Sequence, residues 1–135
     1  MKIYFDENIP PNLAKGLHIL ELPNKQGFEV LSIEDVFGKG AKDEDWIPKI
    51  GEDQGIVITH DLNINRKVNQ RKLLEKHGVG IFFIKPPNKK IGYKYWELVE
   101  YTITRWKEIT NLVMITNKPF SFVCPCRGKI YKISI

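Results

Sequence analysis

The sequence predicts an α/β fold built on a mainly parallel sheet, and three observations carry that prediction. Short apolar or β-branched runs alternate with segments whose apolar residues recur at helical spacing, the order of βαβ units joined by right-handed crossovers. The run Gly55-Ile56-Val57-Ile58-Thr59-His60 is apolar at successive positions, which suits a strand covered on both faces. The first and third strand candidates each run directly into acids, where open α/β sheets place their ligand crevice.

Lys2-Ile3-Tyr4-Phe5 reads as the first strand and ends on Asp6-Glu7-Asn8. Asn8 or the pair Pro10-Pro11 signals a helix start, and Leu13, Leu17 and Leu20 then recur at helical spacing over roughly residues 10–20. Pro23 to Gly27 is a loop, and Phe28 to Ser32 a second strand. After Gly38-Lys39-Gly40, Asp43 is placed to cap a helix carrying Trp46, Ile47 and Ile50, which Pro48 should shorten or distort. Ile56 to Thr59 is the third strand. A helix over Lys67–Lys76 should turn Val68, Leu73 and Leu74 inward and Arg66, Arg71, Lys72 and Lys76 outward. Val79 to Ile84 is the fourth strand, stopped by Pro86-Pro87. A long amphipathic helix from about Tyr93 to Leu112 carries Tyr95, Leu98, Val99, Thr102, Trp106 and Ile109 as its apolar stripe. Phe120–Val123 and Ile130–Ile133 read as a terminal antiparallel hairpin. There is neither an internal repeat nor a low-complexity segment.

A chain of 135 residues is expected to form one domain, with its acidic motifs in 1–63 and a basic, aromatic half in 64–135. No apolar run approaches the roughly 18 residues that span a bilayer, and the first residues turn acidic at once, so no membrane association and a cytoplasmic location are expected. Two cysteines occur, in Cys124-Pro125-Cys126. One-residue spacing is tighter than a zinc knuckle uses and further ligands would have to come from distant histidines, so reduced thiols in a turn are expected. The net charge of +5 divides unevenly: residues 1–61 hold 12 acids and 6 bases, residues 62–135 hold 4 acids and 15 bases. An acidic half could hold metal and a basic half phosphates, or the bases could solvate helix surfaces.

Carboxylates gathered at strand ends repel one another unless a cation neutralises them, and hard cations take oxygen ligands. Asp6, Asp43 and Asp61 are the candidates. Asp6 and Asp43 have a plainer reading as helix caps, whereas Asp61 ends the strand that reads as most completely buried. Thr59 could hydrogen-bond a phosphate or water, or serve only as a β-former. Strand alternation points His60 away from Thr59 and Asp61, which favours packing or exposure over proton transfer. Arg66, Lys67, Arg71 and Lys72 are candidates for phosphate contacts.

The segments Phe5-Asp6-Glu7-Asn8-Ile9, Gly40-Ala41-Lys42-Asp43-Glu44-Asp45-Trp46-Ile47 and Ile58-Thr59-His60-Asp61 resemble the PIN-like domain family. More narrowly they resemble its small stand-alone members, found as presumed toxins of toxin–antitoxin pairs. The resemblance covers roughly residues 2–86. It implies a three-layer α/β/α fold with a central, mainly parallel sheet of four to five strands. It also implies Mg²⁺- or Mn²⁺-dependent cleavage of single-stranded RNA, with Asp6, Asp43 and Asp61 as catalytic, metal-holding acids and an antitoxin as partner; apart from the resemblance, the aromatic helix near Tyr95–Trp106 could bury itself in the core or in the interface of a homodimer. Glu7 and Asn8 match the motif, and with Thr59 and Asn63 they would stand behind the ligands. At Asn63 the family usually has a second aspartate; an asparagine still offers a carbonyl oxygen but one negative charge fewer.

Two other classes fit part of the pattern. A non-catalytic module could bind RNA or a protein through the basic half while its acids are degenerate, and Asn63 favours it. A phosphoacceptor receiver would use Asp6-Glu7, Asp61 and Lys85, although receivers place that lysine one strand later.

Overall fold

The computed structural model describes residues 1–60, 68–88 and 90–134. Strands β1 (Lys2–Phe5), β2 (Glu29–Ser32), β3 (Ile56–His60), β4 (Gly80–Ile84), β5 (Phe120–Cys124) and β6 (Tyr131–Lys132) form one sheet in the order β2-β1-β3-β4-β5-β6. The first five pair in parallel, and β6 closes the edge antiparallel to β5. The mainly parallel sheet and its terminal hairpin are as expected. There are six strands rather than four or five, because both arms of the hairpin join the sheet.

Alternation along the strands sorts the helices into two layers. Ile3, Phe5, Ile56, Ile58, Phe82 and Ile84 pack with helices α1 (Pro11–Glu21) and α5 (Tyr95–Ile115). Tyr4, Val57, Ile81 and Phe83 face the other way, against α3 (Asp43–Glu52) and α4 (Val68–Lys76), reached from β2 through the short helix α2 (Ile33–Phe37). This is the three-layer α/β/α arrangement. By the same parity Asp6 and Thr59 belong to the α3–α4 face, and His60 to the α1–α5 face.

The layers also fix the hands of the crossovers. From β1 the chain moves toward one edge over the α1 face, and from β2 through β4 it moves toward the other edge over the α3–α4 face; these three connections share one hand. The connection β4–α5–β5 also moves toward the second edge, but over the α1 face, so its hand is opposite. Parallel crossovers are right-handed in about 98% of cases, and one of these four departs from the hand of the other three. The uniform hand expected from the alternation therefore fails at α5. On that face the Trp106 ring meets Phe5 edge-on, and its indole N–H donates to Glu21 Oε1 of α1 at 2.6 Å.

Other departures are local. Helix α3 runs ten residues straight through Pro48, because burial of Trp46, Ile47 and Ile50 outweighs the lost donor. Val68, expected inside, is exposed, and Gln70 is buried in its place. Tyr95 heads the α5 stripe in sequence but stands in solvent, and the buried stripe is Leu98, Thr102, Trp106, Ile109, Thr110 and Val113. Among the described residues no helix is long and apolar enough to cross a membrane.

Candidate active site

Strand β1 lies between β2 and β3, so the chain leaves it in one direction and returns on its other side. Such a switch point leaves a crevice outside the carboxyl ends of the two central strands. Asp6 follows β1 and Thr59 and His60 end β3, which puts Asp6 and Thr59 at this crevice.

Asp6 is buried. Its backbone N–H donates to Ile58 O at 2.9 Å, extending the β1–β3 pairing by one residue. Its Oδ1 accepts the Glu7 N–H at 2.8 Å, and its Oδ2 accepts the Thr59 hydroxyl at 3.0 Å. Thr59 has one hydroxyl hydrogen and a second oxygen within reach, Asn8 Oδ1 at 3.3 Å. The nearer and charged acceptor takes it, and the hydroxyl oxygen in turn accepts from Asn8 Nδ2 at 3.2 Å. Asn8 does more. Its Nδ2 donates to His60 O at 2.7 Å while its Oδ1 accepts the His60 N–H at 3.2 Å. The side-chain amide thus meets His60 as the backbone of another strand would, and the two backbone groups fix which end of the amide is oxygen. Asn8 is not the helix cap its position suggested; that place is taken by Pro10.

The second motif is tied to the first. Glu7 Oε2 accepts the Gly40 N–H at 3.1 Å, holding the loop that leads into α3. The residue before α3 is Lys42, so Asp43 lies inside the first turn and is not its cap. Its Oδ2 instead accepts from Gln70 Nε2 of α4 at 3.4 Å. Sequence reasoning missed Gln70. It is only 8% exposed, and its Oε1 has no hydrogen-bond partner among the described residues, as is also true of the buried Nε of Arg71. Buried polar atoms are nearly always partnered, so an orphan acceptor beside a candidate site acid points to a missing water or ligand.

Of the other candidates, Arg71 is half-buried and Lys72 exposed on α4. Asp61, Asn63, Arg66 and Lys67 lie outside the described residues. His60 is buried on the opposite face; its Nε2 accepts the Tyr93 N–H at 3.2 Å, and the two rings lie 5.7 Å apart. In that bond Nε2 is the acceptor and so the unprotonated nitrogen. Cys124 is buried and Cys126 exposed, both free; burial pushes the Cys124 thiol up to about 12.

Asp6 and Asp43 offer carboxylate oxygens, the ligand type that Mg²⁺ or Mn²⁺ prefers, and each carboxylate oxygen that accepts a hydrogen bond keeps a second lone pair. Among the described residues no three His, Cys, Asp or Glu side chains converge as metal ligands. Of the three acids the sequence singles out, Asp6 and Asp43 lie among the described residues and Asp61 does not.

A family model described as PIN like domain matches residues 1–86, which hold all three acidic motifs. The chain belongs to the PIN-like domain family, a nuclease-type superfamily. No match is found among curated proteins or among solved structures.

Proposed function

We propose that this protein is a metal-dependent endoribonuclease that hydrolyses single-stranded RNA. The observation that carries the reading is the network in which the buried Asp6 and Thr59 bond each other and the exposed Asn8 at the switch point of a PIN-like sheet. Thr59 holds Asp6 in one orientation and satisfies one of its oxygens without adding charge. Asn8 fixes the end of β3, from which Asp61 follows. Glu7 holds the loop before α3 at Gly40, and Gln70 donates to Asp43 from α4. Asp6, Asp43 and Asp61 would hold Mg²⁺ or Mn²⁺, which when bound lowers the pKa of a water and neutralises charge on the phosphate. Arg66, Lys67, Arg71 and Lys72 would meet the RNA backbone. The family resemblance supports the narrower role of toxin with an antitoxin partner, and expression of the parent but not of Asp6→Asn should then arrest growth.

The test is cleavage of single-stranded RNA with Mn²⁺ and with a chelator. The parent should cleave only with metal, and Asp6→Asn and Asp61→Asn should lose cleavage while keeping their thermal midpoints. If Asp61→Asn cleaves as well as the parent, the site is misassigned. If the parent binds RNA and cleaves none under any metal, the binding module favoured by Asn63 is correct, whereas a working site should gain from Asn63→Asp. The receiver reading is the weaker rival, since β5, where a receiver carries its lysine, ends at Cys124-Pro125-Cys126.

A further inference from the structure

Residues 85–96, Lys-Pro-Pro-Asn-Lys-Lys-Ile-Gly-Tyr-Lys-Tyr-Trp, contain four lysines, three aromatics and no acid. All but the first two lie beyond the family-matched region. The segment leaves β4 level with the end of β3, since Ile84 pairs with His60. It is then bound back to that strand, because the Tyr93 N–H donates to His60 Nε2. It therefore stands at the same edge of the sheet as Asp6 and Thr59, on the opposite flank of the crevice from α3 and α4.

Its aromatics divide by role. Tyr93 stacks inward on Tyr101, 5.1 Å between ring centres. Trp96 is 75% exposed, with Tyr95 set edge-on at 5.3 Å. Neither is needed to cap α5, where the Lys94 backbone N–H donates to Glu97 Oε1 at 2.9 Å. Lys90, Ile91 and Lys94 are exposed beside them. Ion pairs among the described residues join Lys2 to Asp53, Lys15 to Asp35 and Arg105 to Glu108, and none involves Lys85, Lys90 or Lys94. The next turns of α5 bring Glu97 and Glu100, which end the basic patch and disfavour a polyanion continuing along the helix.

We propose that Tyr95 and Trp96, with Lys90 and Lys94, form a stacking platform for single-stranded RNA beside the acidic crevice. Exposed aromatic faces bind bases of any sequence while neighbouring lysines hold the phosphates. Bases within a duplex are already stacked and cannot reach Trp96, so the ligand is a single strand. Lysines that stand outside those ion pairs suit a polyanion better than an apolar protein surface. The proposal rests on the nuclease reading for the identity of its ligand.

The test uses the full chain in chelator, so that nothing is cleaved, with a single-stranded oligouridylate as probe. Trp46 and Trp106 are buried, so quenching of intrinsic fluorescence by iodide reports on Trp96, and bound oligonucleotide should protect it. Trp96→Ala should weaken binding roughly five- to a hundredfold with its thermal midpoint unchanged, and Trp96→Phe should restore most of it. Lys90→Ala with Lys94→Ala should lower the salt slope by roughly 1.4, about 0.7 for each phosphate no longer neutralised. The platform is overturned if Trp96→Ala binds like the parent, if duplex RNA protects Trp96 equally, or if the parent binds no oligonucleotide. It is overturned equally if Trp96→Ala turns a dimer into a monomer without changing RNA affinity, which would make the patch a self-interface. Loss of cleavage in Asp6→Asn with full binding by Trp96→Ala leaves the nuclease standing without the platform; the reverse pattern leaves the platform without the nuclease.

Discussion

At the scale of single residues, Asn8 and Gln70 make opposite predictions. Asn8→Asp keeps the shape of the side chain but replaces the donor to His60 O by an acceptor, leaving that carbonyl facing a carboxylate. The unfolding free energy should fall by about 1–3 kcal/mol, read by urea denaturation. Gln70→Met removes a buried carbonyl oxygen that has no partner among the described residues, so the thermal midpoint should hold or rise. Mn²⁺ affinity, measured by calorimetry, should fall because Asp43 loses its amide donor. A rise in affinity would deny Gln70 any part in the site. Asp6 and Thr59 were legible in sequence, because two strands and their alternation suffice to put both on one face of one edge. Gln70 was not. Its inward aim depends on the rotation of α4, which tertiary packing sets; Val68 looks like the buried residue and is exposed.

At the scale of elements, α5 is held to α1 by a buried polar contact. Trp106→Phe should cost about 1–3 kcal/mol by leaving the Glu21 carboxylate without its indole donor, though Asn24 Nδ2 still donates to it at 3.3 Å. A cycle with Glu21→Leu should recover part of that loss, and strict additivity would mean the bond contributes nothing. The close packing of β4 on β5 gives a second test. A Cβ on Gly80 would lie 2.4 Å from the Phe120 ring, so Gly80→Ala should destabilise by roughly 1–3 kcal/mol, read from the denaturation midpoint. The strands were legible because apolar runs between turn residues are a local signal. The route of α5 was not: no local pattern states which face a crossover takes. Pro48 misled for a related reason, since a helix breaker reports a local cost and three buried apolar side chains outweigh it.

At the scale of the whole molecule, stability should depend on alkaline pH in a stated direction. Burial raises the Cys124 thiol from 9.0 to about 12. Burial and the hydrogen bond to Asp53 raise the Tyr4 phenol from 10.0 to about 12. Both groups hold their protons more tightly when folded. Their contribution is therefore complete below the unfolded pKa values and is lost as pH rises from 9 toward 12. The urea midpoint should fall across that interval, and Cys124→Ala should flatten the early part of the decline. The charge asymmetry of the chain was plain in sequence, but not that one basic run would share a sheet edge with the acids.

The two-residue strand β6 has a consequence for how the molecule behaves among its own copies. A sheet of parallel strands buried on both faces is a template for recruitment at whichever strand stands outermost. Were the sheet to end at β4 or β5, that strand would present five consecutive buried residues. It ends instead on Tyr131 and Lys132, both exposed and too short to seed a ladder, with a charge on the rim. The last hairpin thus leaves this rim of the sheet short, exposed and charged, the features by which edge strands resist pairing with further copies. Lys132→Val, which lengthens the apolar run through Tyr131 and Ile133, should leave cleavage and the thermal midpoint near those of the parent. It should lower the concentration at which the protein stays clear by light scattering.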